Sequence, residues 1–399
     1  MMKASLFLSA LLLLQNWPEF RGPTGQGLSD ARGLPLTWSE SENVRWKVST
    51  PGKGWSSPVV QGDSIWLTAS IEDEQGLSLR AICLQRSSGV VLRNIEVFRL
   101  RAPAQINPKN GYASPTPVLD GDRIYVHFGA FGTACLTQSG EIKWRTRLPY
   151  DNGQHGPGSS PVLYDDLLIV SCDGRDVQYV AALDTRTGAI RWKKSRRGYQ
   201  AYSTPLVVHL PGGDQVVSPG AYRSIAYEPR TGKEIWYVRY GDGFSNVPRP
   251  VYGNGLVYIC TGFQQPSLLA VRVDGNGDVT DSHVQWRLDR GVSLTPSPLL
   301  VGEELYMVSD SGIASCLDAR NGKEYWRERL GGNYSASPIF ADGRIYYLSE
   351  EAETTVIAPG RQYRVLATNQ LDGRALASMA VSGDSILLRT DTHLYCLGN

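Results

Sequence analysis

The sequence predicts an all-β fold, an eight-bladed β-propeller of four-stranded antiparallel blades. Three observations predict it. A motif ending in Pro before an apolar run recurs along the chain, each copy is followed by the same succession of short strands, and a spare outer-strand segment near the start matches one missing at the end. Composition agrees: of 399 residues 41% are hydrophobic, 20% charged and 10% aromatic, enough for a core and unlike disorder, collagen or coiled coil. The 42 Gly and 23 Pro imply many tight turns between short elements. Lys plus Arg number 40 against 39 Asp plus Glu, so no global field marks a nucleic-acid or membrane-surface binder. Length alone would allow two or three domains, but the repeat makes residues 45–399 one propeller.

From the start of the chain, Lys3 and the apolar run ASLFLSALLLL (4–14) have the n- and h-regions of a secretory signal, so residues 1–15 read as signal-like and the protein as exported, periplasmic or extracellular. The run is too short for a membrane span, and no other segment reaches that length. The first cysteine is Cys83, which argues against a lipoprotein anchor. Residues 16–44 form a leader, and VRWKV around Trp46 is the spare outer strand.

The repeat follows: WSSPVV, SPTPVL, SSPVLY, YSTPLVV, VPRPVY, TPSPLLV, SASPIF and a degenerate ASMAVS with Met379 in place of Pro. Copies lie 40 to 59 residues apart, about 46 on average, within the range of propellers. In seven copies an apolar strand restarts seven residues after the Pro position (Ile65, Ile124, Leu168, Val257, Leu305, Ile345, Ile386), usually past a G-D or D-G turn. A third run then leads into D-x-x-T-G-x-x-x-W, clearest from Asp184 to Trp192, with Gly188 supplying the positive φ of a hairpin bulge. Trp46, Trp144, Trp192, Trp236, Trp286 and Trp326 mark outer strands. The last unit ends after its third strand, so the Trp46 segment completes it and closes the ring. An array of β-sandwiches would leave both end strands unpaired, a liability that closure removes.

The six cysteines form no metal spacing. Cys83, Cys135, Cys316 and Cys396 each precede Leu where another copy has Ala182, as expected of one small buried slot.

The pattern from Ala182 to Trp192 and its copies resembles the pyrroloquinoline-quinone (PQQ) repeat, which builds the quinoprotein alcohol dehydrogenases and the non-enzymatic outer-membrane assembly propeller BamB. The leader NWPEFRGPTGQG with GWSSPVV is similar to secreted bacterial PQQ-like propellers of unassigned role. The resemblance implies the propeller fold. A quinoprotein of that family would need adjacent cysteines over the cofactor, a calcium held by acid and amide side chains, an Asp base and long insertions. This chain has no adjacent cysteines and one modest insertion, about 93–113, so no cofactor is expected and PQQ least of all. Five histidines without H-E-x-x-H, and no G-x-S-x-G, leave no catalytic constellation, and the serines of the S-S-P motifs read as satisfying turn hydrogen bonds.

Two local features complete the survey. Asp274, Asn276 and Asp278 in DGNGDVTD alternate like a calcium loop, but Val279 and Gln285 stand where Gly and Glu would be required, so a solvated turn is favoured over a metal site. RWKKSRR (191–197) reads as an alternating outer strand or a patch for an anionic partner. The loops entering each blade carry Trp55, Asn110, Tyr112, His155, Tyr202, Phe244, Asn246, Arg249, Asn333 and Tyr334, residue types enriched at binding hot spots, and these define the candidate binding face. The expected role is a monomeric, non-catalytic scaffold for protein partners of the cell envelope, BamB-like by fold. The alternative is a quinoprotein-type oxidoreductase or a polysaccharide- or ligand-binding propeller.

Overall fold

The computed structural model describes residues 16–102 and 105–399, so the signal-like segment 1–15 lies outside the described residues. Eight antiparallel sheets form the blades, all of four strands except the fourth blade, which gains a fifth. No described residue is α-helical. The eighth blade consists of Ala380–Ser382, Ser385–Arg389 and His393–Leu397, with Val44–Ser49 antiparallel to the last of these. The ring therefore closes through the Trp46 strand, as the repeat count requires. Arg45 of that strand pairs with Asp384 at 2.7 Å, and this contact holds the carboxyl down to about 2. Because the folded value lies below the ordinary 3.8, its stabilisation is present above that pH and is lost as pH falls through 2. For this half-exposed pair Asp384→Asn should cost less than about 1 kcal/mol at pH 7, and urea melts should show the difference from wild type vanishing near pH 2.

The seams between blades explain the repeat. At the rim, the outer-strand Trp of one blade donates its indole N–H to a carbonyl of the next: Trp46 to Arg86, Trp144 to Thr185, Trp192 to Pro229, Trp286 to Ala319 and Trp326 to Gly360, all at 2.8–3.0 Å. The turn glycine has a second role besides its φ of +72°: a Cβ on Gly188 would lie 2.5 Å from the Trp144 ring. Gly232 and Gly322 meet Trp192 and Trp286 in the same way. The expected bulge is present, with register shifting between Ala182 and Leu183. Asp184 closes the turn by accepting the N–H groups of Arg186 and Thr187 and the Thr187 hydroxyl. All six cysteines are buried and unpaired. Cys135, Cys316 and Cys396 sit opposite the outer-strand Trp residues Trp144, Trp326 and Trp46, as Ala182 sits opposite Trp192, which is why the slot takes only small side chains.

Three expectations need correction. The supposed insertion at 93–113 begins inside a strand: the first blade has ten-residue strands Ser64–Asp73, Gly76–Gln85 and Val91–Leu100, so much of its extra length extends the hairpins. The DGNGDVTD segment is not a free turn. Gly277–Asp278 pairs in parallel with Trp236 and Tyr237 as the fifth strand of the fourth blade, and Val279 is buried. The basic run is divided by its surroundings: Lys193 lies over the Tyr179 ring, while Arg196 is buried against Asp173.

Candidate functional site

Around the axis, the residue before each motif Pro builds a belt. The backbone N–H of Ser57 donates to Thr116 Oγ1, Thr116 to Ser160 Oγ, Ser160 to Thr204 Oγ1, Arg249 to Ser297 Oγ, Ser297 to Ser337 Oγ and Ser337 to Ser378 Oγ, at 2.8–3.0 Å. The motif serines therefore join blades rather than close turns. A Pro follows because its fixed φ presets the entry into the inner strand and that position has no N–H to satisfy. Two seams carry a buried arginine in place of the hydroxyl link. Between blades 4 and 5, Arg249 Nε donates to Pro205 O at 3.0 Å. Between blades 8 and 1, Arg389 donates to the carbonyls of Ser56 and Thr68 and to Ser56 Oγ at 2.8–3.1 Å.

One end of the channel is closed by the leader. Trp17 pairs with Val60 of the first blade, Pro18 O accepts from Leu119 N of the second, and Arg249 of the fifth reaches Phe20 O at 2.6 Å and Glu19 Oε2 at 3.5 Å. Beyond that, Gln26 Oε1 accepts from Tyr252 N, and Gly27 and Ser29 bond Phe340 of the seventh blade. Blades 1 and 5 face each other across an eight-membered ring, so the leader crosses the axis. Its glycines are needed for that crossing: Gly25 has φ +66°, and a Cβ there would lie 2.4 Å from Arg249 Nη1. Burial raises the Glu19 carboxyl against the pull of Arg249, and burial together with the Arg249 charge lowers Arg21 to about 9.

The remaining space is a blind cup of about 350 Å³. Phe20 and the belt line it, together with Trp55, Asn110, His155, Tyr202 and Lys109. Among the described residues no Asp, Glu or Cys lines it. The Lys109 ammonium pairs with Glu350 at 2.9 Å, which also accepts from Ser335 and Arg374.

Of the ten candidate face residues, Trp55, Asn110, His155 and Tyr202 reach the cup. Asn110 is committed to the His155 and Pro157 carbonyls. Three others cannot present their side chains to a partner. Tyr334 is buried in the core between blades 6 and 7, Asn246 is buried and donates to Tyr240 Oη and Cys260 O, and Arg249 is buried against the leader. Tyr112 packs on Phe131, and exposed Asn333 bonds Glu351. Phe244 stands between Tyr199 and Phe263, with ring centroids 5.4 and 5.7 Å away, and Phe263 is 54% exposed. These rings form an aromatic strip running outward from Ser245 at the cup. Sequence reading missed the belt as a lining and Phe20 as its floor. The belt's signal was present, since the residue before each motif Pro is Ser or Thr in every copy but Arg249.

Asp278 is held by Arg239 at 2.7 Å and bonded to Thr280, while Asp274 faces Arg272 and His283. Among the described residues no three His, Cys, Asp or Glu side chains converge as a metal cluster. The donor set of the cup likewise does not fit a quinone with a carboxylate-held calcium, because the lining offers neither acids nor cysteines and the cysteines lie inside the blades.

The fold and the cup define a closed eight-bladed propeller with a plugged channel and a neutral, hydroxyl-lined hub. The family model for outer membrane protein assembly factor BamB matches residues 101–313 and 276–396, and the chain belongs to this PQQ-like β-propeller family. It is 26% identical over 235 residues to the outer membrane protein assembly factor BamB of Burkholderia pseudomallei, covering 55% of this chain and 56% of that protein. It is also 26% identical over 200 residues to BamB of Alkalilimnicola ehrlichii, covering 48% of each. The chain thus spans about half the length of the curated relatives it matches. Among solved structures, BamB from Moraxella catarrhalis is similar with a TM-score of 0.64 at 12% identity, over 89% of this chain and 99% of that one. A europium-containing methanol dehydrogenase is similar at 0.68 and 11% identity, over 96% of this chain and 98% of that one. These structural likenesses concern the fold alone.

Proposed function

We propose that the protein is a non-catalytic, exported scaffold of the cell envelope that docks a protein partner on its open face, along the strip Tyr199–Phe244–Phe263. The observation that carries this reading is that strip: three contacting rings leave the cup wall and end in an exposed Phe263, an anchor of the kind that dominates interface energies. The relatives named as outer membrane assembly factors support the same class of role, and the apolar run at 4–14 supports export. A lining without acids gives no acid–base pair, and its mismatch with a quinone supports a role without that cofactor.

A photo-crosslinking residue at Phe263, introduced in living cells, tests the proposal. The expected result is one dominant envelope-protein adduct that disappears when Phe244→Ser is added and is absent when the label sits at Lys233 on the rim. Dye reduction by purified protein supplied with PQQ and calcium would overturn the non-catalytic reading, and adducts insensitive to Phe244→Ser would overturn the choice of face.

A further inference from the structure

Hydrogen-bond bookkeeping in the cup points to a ligand that the scaffold reading does not require. Each belt hydroxyl of Thr116, Ser160, Thr204, Ser297, Ser337 and Ser378 already accepts a backbone N–H from the preceding unit. A hydroxyl has one donor and two acceptor sites, so each keeps its O–H and one lone pair. Among the described residues no protein acceptor takes those six O–H groups, and all six side chains line the cup. The Tyr202 hydroxyl adds a buried polar atom without a partner. Unspent donors gathered around one cavity are costly unless something within the cavity satisfies them.

The charge balance narrows the ligand's chemistry. With no acid in the lining among the described residues, the cup offers a cation no carboxylate, and its one lining ammonium, Lys109, is tied at 2.9 Å to Glu350, which Arg374 shares. The belt of hydroxyls favours a neutral molecule rich in hydroxyl groups, able both to accept from the belt and to donate to its remaining lone pairs. The aromatic side chains of Trp55 and Tyr202 on the same wall suit a ring with C–H faces, which packs on an aromatic surface while its edges hydrogen-bond. About 350 Å³ is near the lower end of small-molecule pockets and matches a sugar unit or two, not a folded chain.

We propose that the hub cup is a carbohydrate subsite, holding the end of a neutral glycan between Trp55, Tyr202 and the Ser/Thr belt above Phe20. The subsite is independent of the partner strip, so a scaffold could carry a glycan at its hub and a protein on its face.

Calorimetric titration of the full chain with maltose, cellobiose and N,N′-diacetylchitobiose, and separately with inorganic phosphate, tests it. At least one disaccharide should bind with one site per chain. Trp55→Ala and Tyr202→Ala should each weaken that binding about tenfold or more, equivalent to about 1.4 kcal/mol. Trp55→Phe and Tyr202→Phe, which keep an aromatic ring at each position, should weaken it less, so the reading stays testable if the alanine variants fold poorly. Phe263→Ala should leave sugar binding unchanged while disturbing partner docking, which separates failure of one proposal from failure of the other. Failure of all three sugars to bind, phosphate binding in their place, or binding unaffected by the Trp55 and Tyr202 variants would overturn the subsite.

Discussion

Arg249→Ala should lower the stability of the protein by about 3–5 kcal/mol and free the leader from the channel. Arg249 is 1% exposed and is the one residue before a motif Pro that is neither Ser nor Thr. It carries three loads: the Pro205 carbonyl across the seam of blades 4 and 5, the Phe20 carbonyl and the Glu19 carboxylate of the plug. Truncation strands all three. A charge left buried after its partner is removed is far more costly than the intact pair is stabilising, which sets the magnitude. Arg249→Ala combined with Glu19→Gln removes the stranded charge and should regain part of the loss. Urea unfolding measures both effects, and amide exchange at Ser29, which donates to Phe340 O of the seventh blade, and at Phe340, which donates to Gly27 O, reports the leader. A loss below about 1 kcal/mol with unchanged exchange would mean the leader is held by its other contacts, and the blind cup would not depend on this residue.

That residue also shows where sequence reading succeeds and where it stops. The ring was legible because its signals are periodic: a Pro before seven of the eight inner strands, a Trp on six of the eight outer strands, and a recurrent turn glycine, enforced by packing that recurs from seam to seam. The Cys and Ala slot was legible for the same reason, since Cys135, Ala182, Cys316 and Cys396 each face a Trp, although Cys83 faces Arg93. Arg249 was legible as a candidate face residue, but its partners were not. A side chain between two prolines reads as an exposed loop group, whereas its partners Glu19 and Phe20 lie some 230 residues away in sequence. Tyr334 failed similarly. Its position before an inner strand resembles that of Tyr202, yet Tyr334 turns into the core between two blades and Tyr202 faces the cup. Periodicity fixes which residues are equivalent in backbone position. Where a large side chain in an entry loop turns depends on the neighbouring blade and on the plug, neither of which leaves a local pattern.

The second large effect should come from Arg196→Leu, at about 3–5 kcal/mol. Arg196 and Asp173 form a fully buried ion pair at the seam of blades 3 and 4, their side chains 2% and 1% exposed. The guanidinium also donates to Ser218 O and Oγ of the next blade, and the carboxylate beside it keeps it charged despite burial. Removing the cation alone leaves Asp173 charged without compensation, whereas Arg196→Leu with Asp173→Leu should recover most of the stability, because an apolar pair replaces an ion pair whose desolvation cost offsets its attraction. The pair serves the site as well as the ring. Arg196 begins the segment that descends to Tyr202 and Thr204, and on its far side Tyr240 bonds Gly220 O and receives the amide of Asn246, whose carbonyl accepts from Tyr202 N. The single variant should therefore loosen the wall of the cup beyond its effect on global stability. Amide exchange at Tyr202 and Ser245 in native conditions, compared with exchange in the remote inner strand Leu299–Val301, measures that local part. Equal acceleration at both places would show that Arg196 acts on the ring as a whole and does not position the cup.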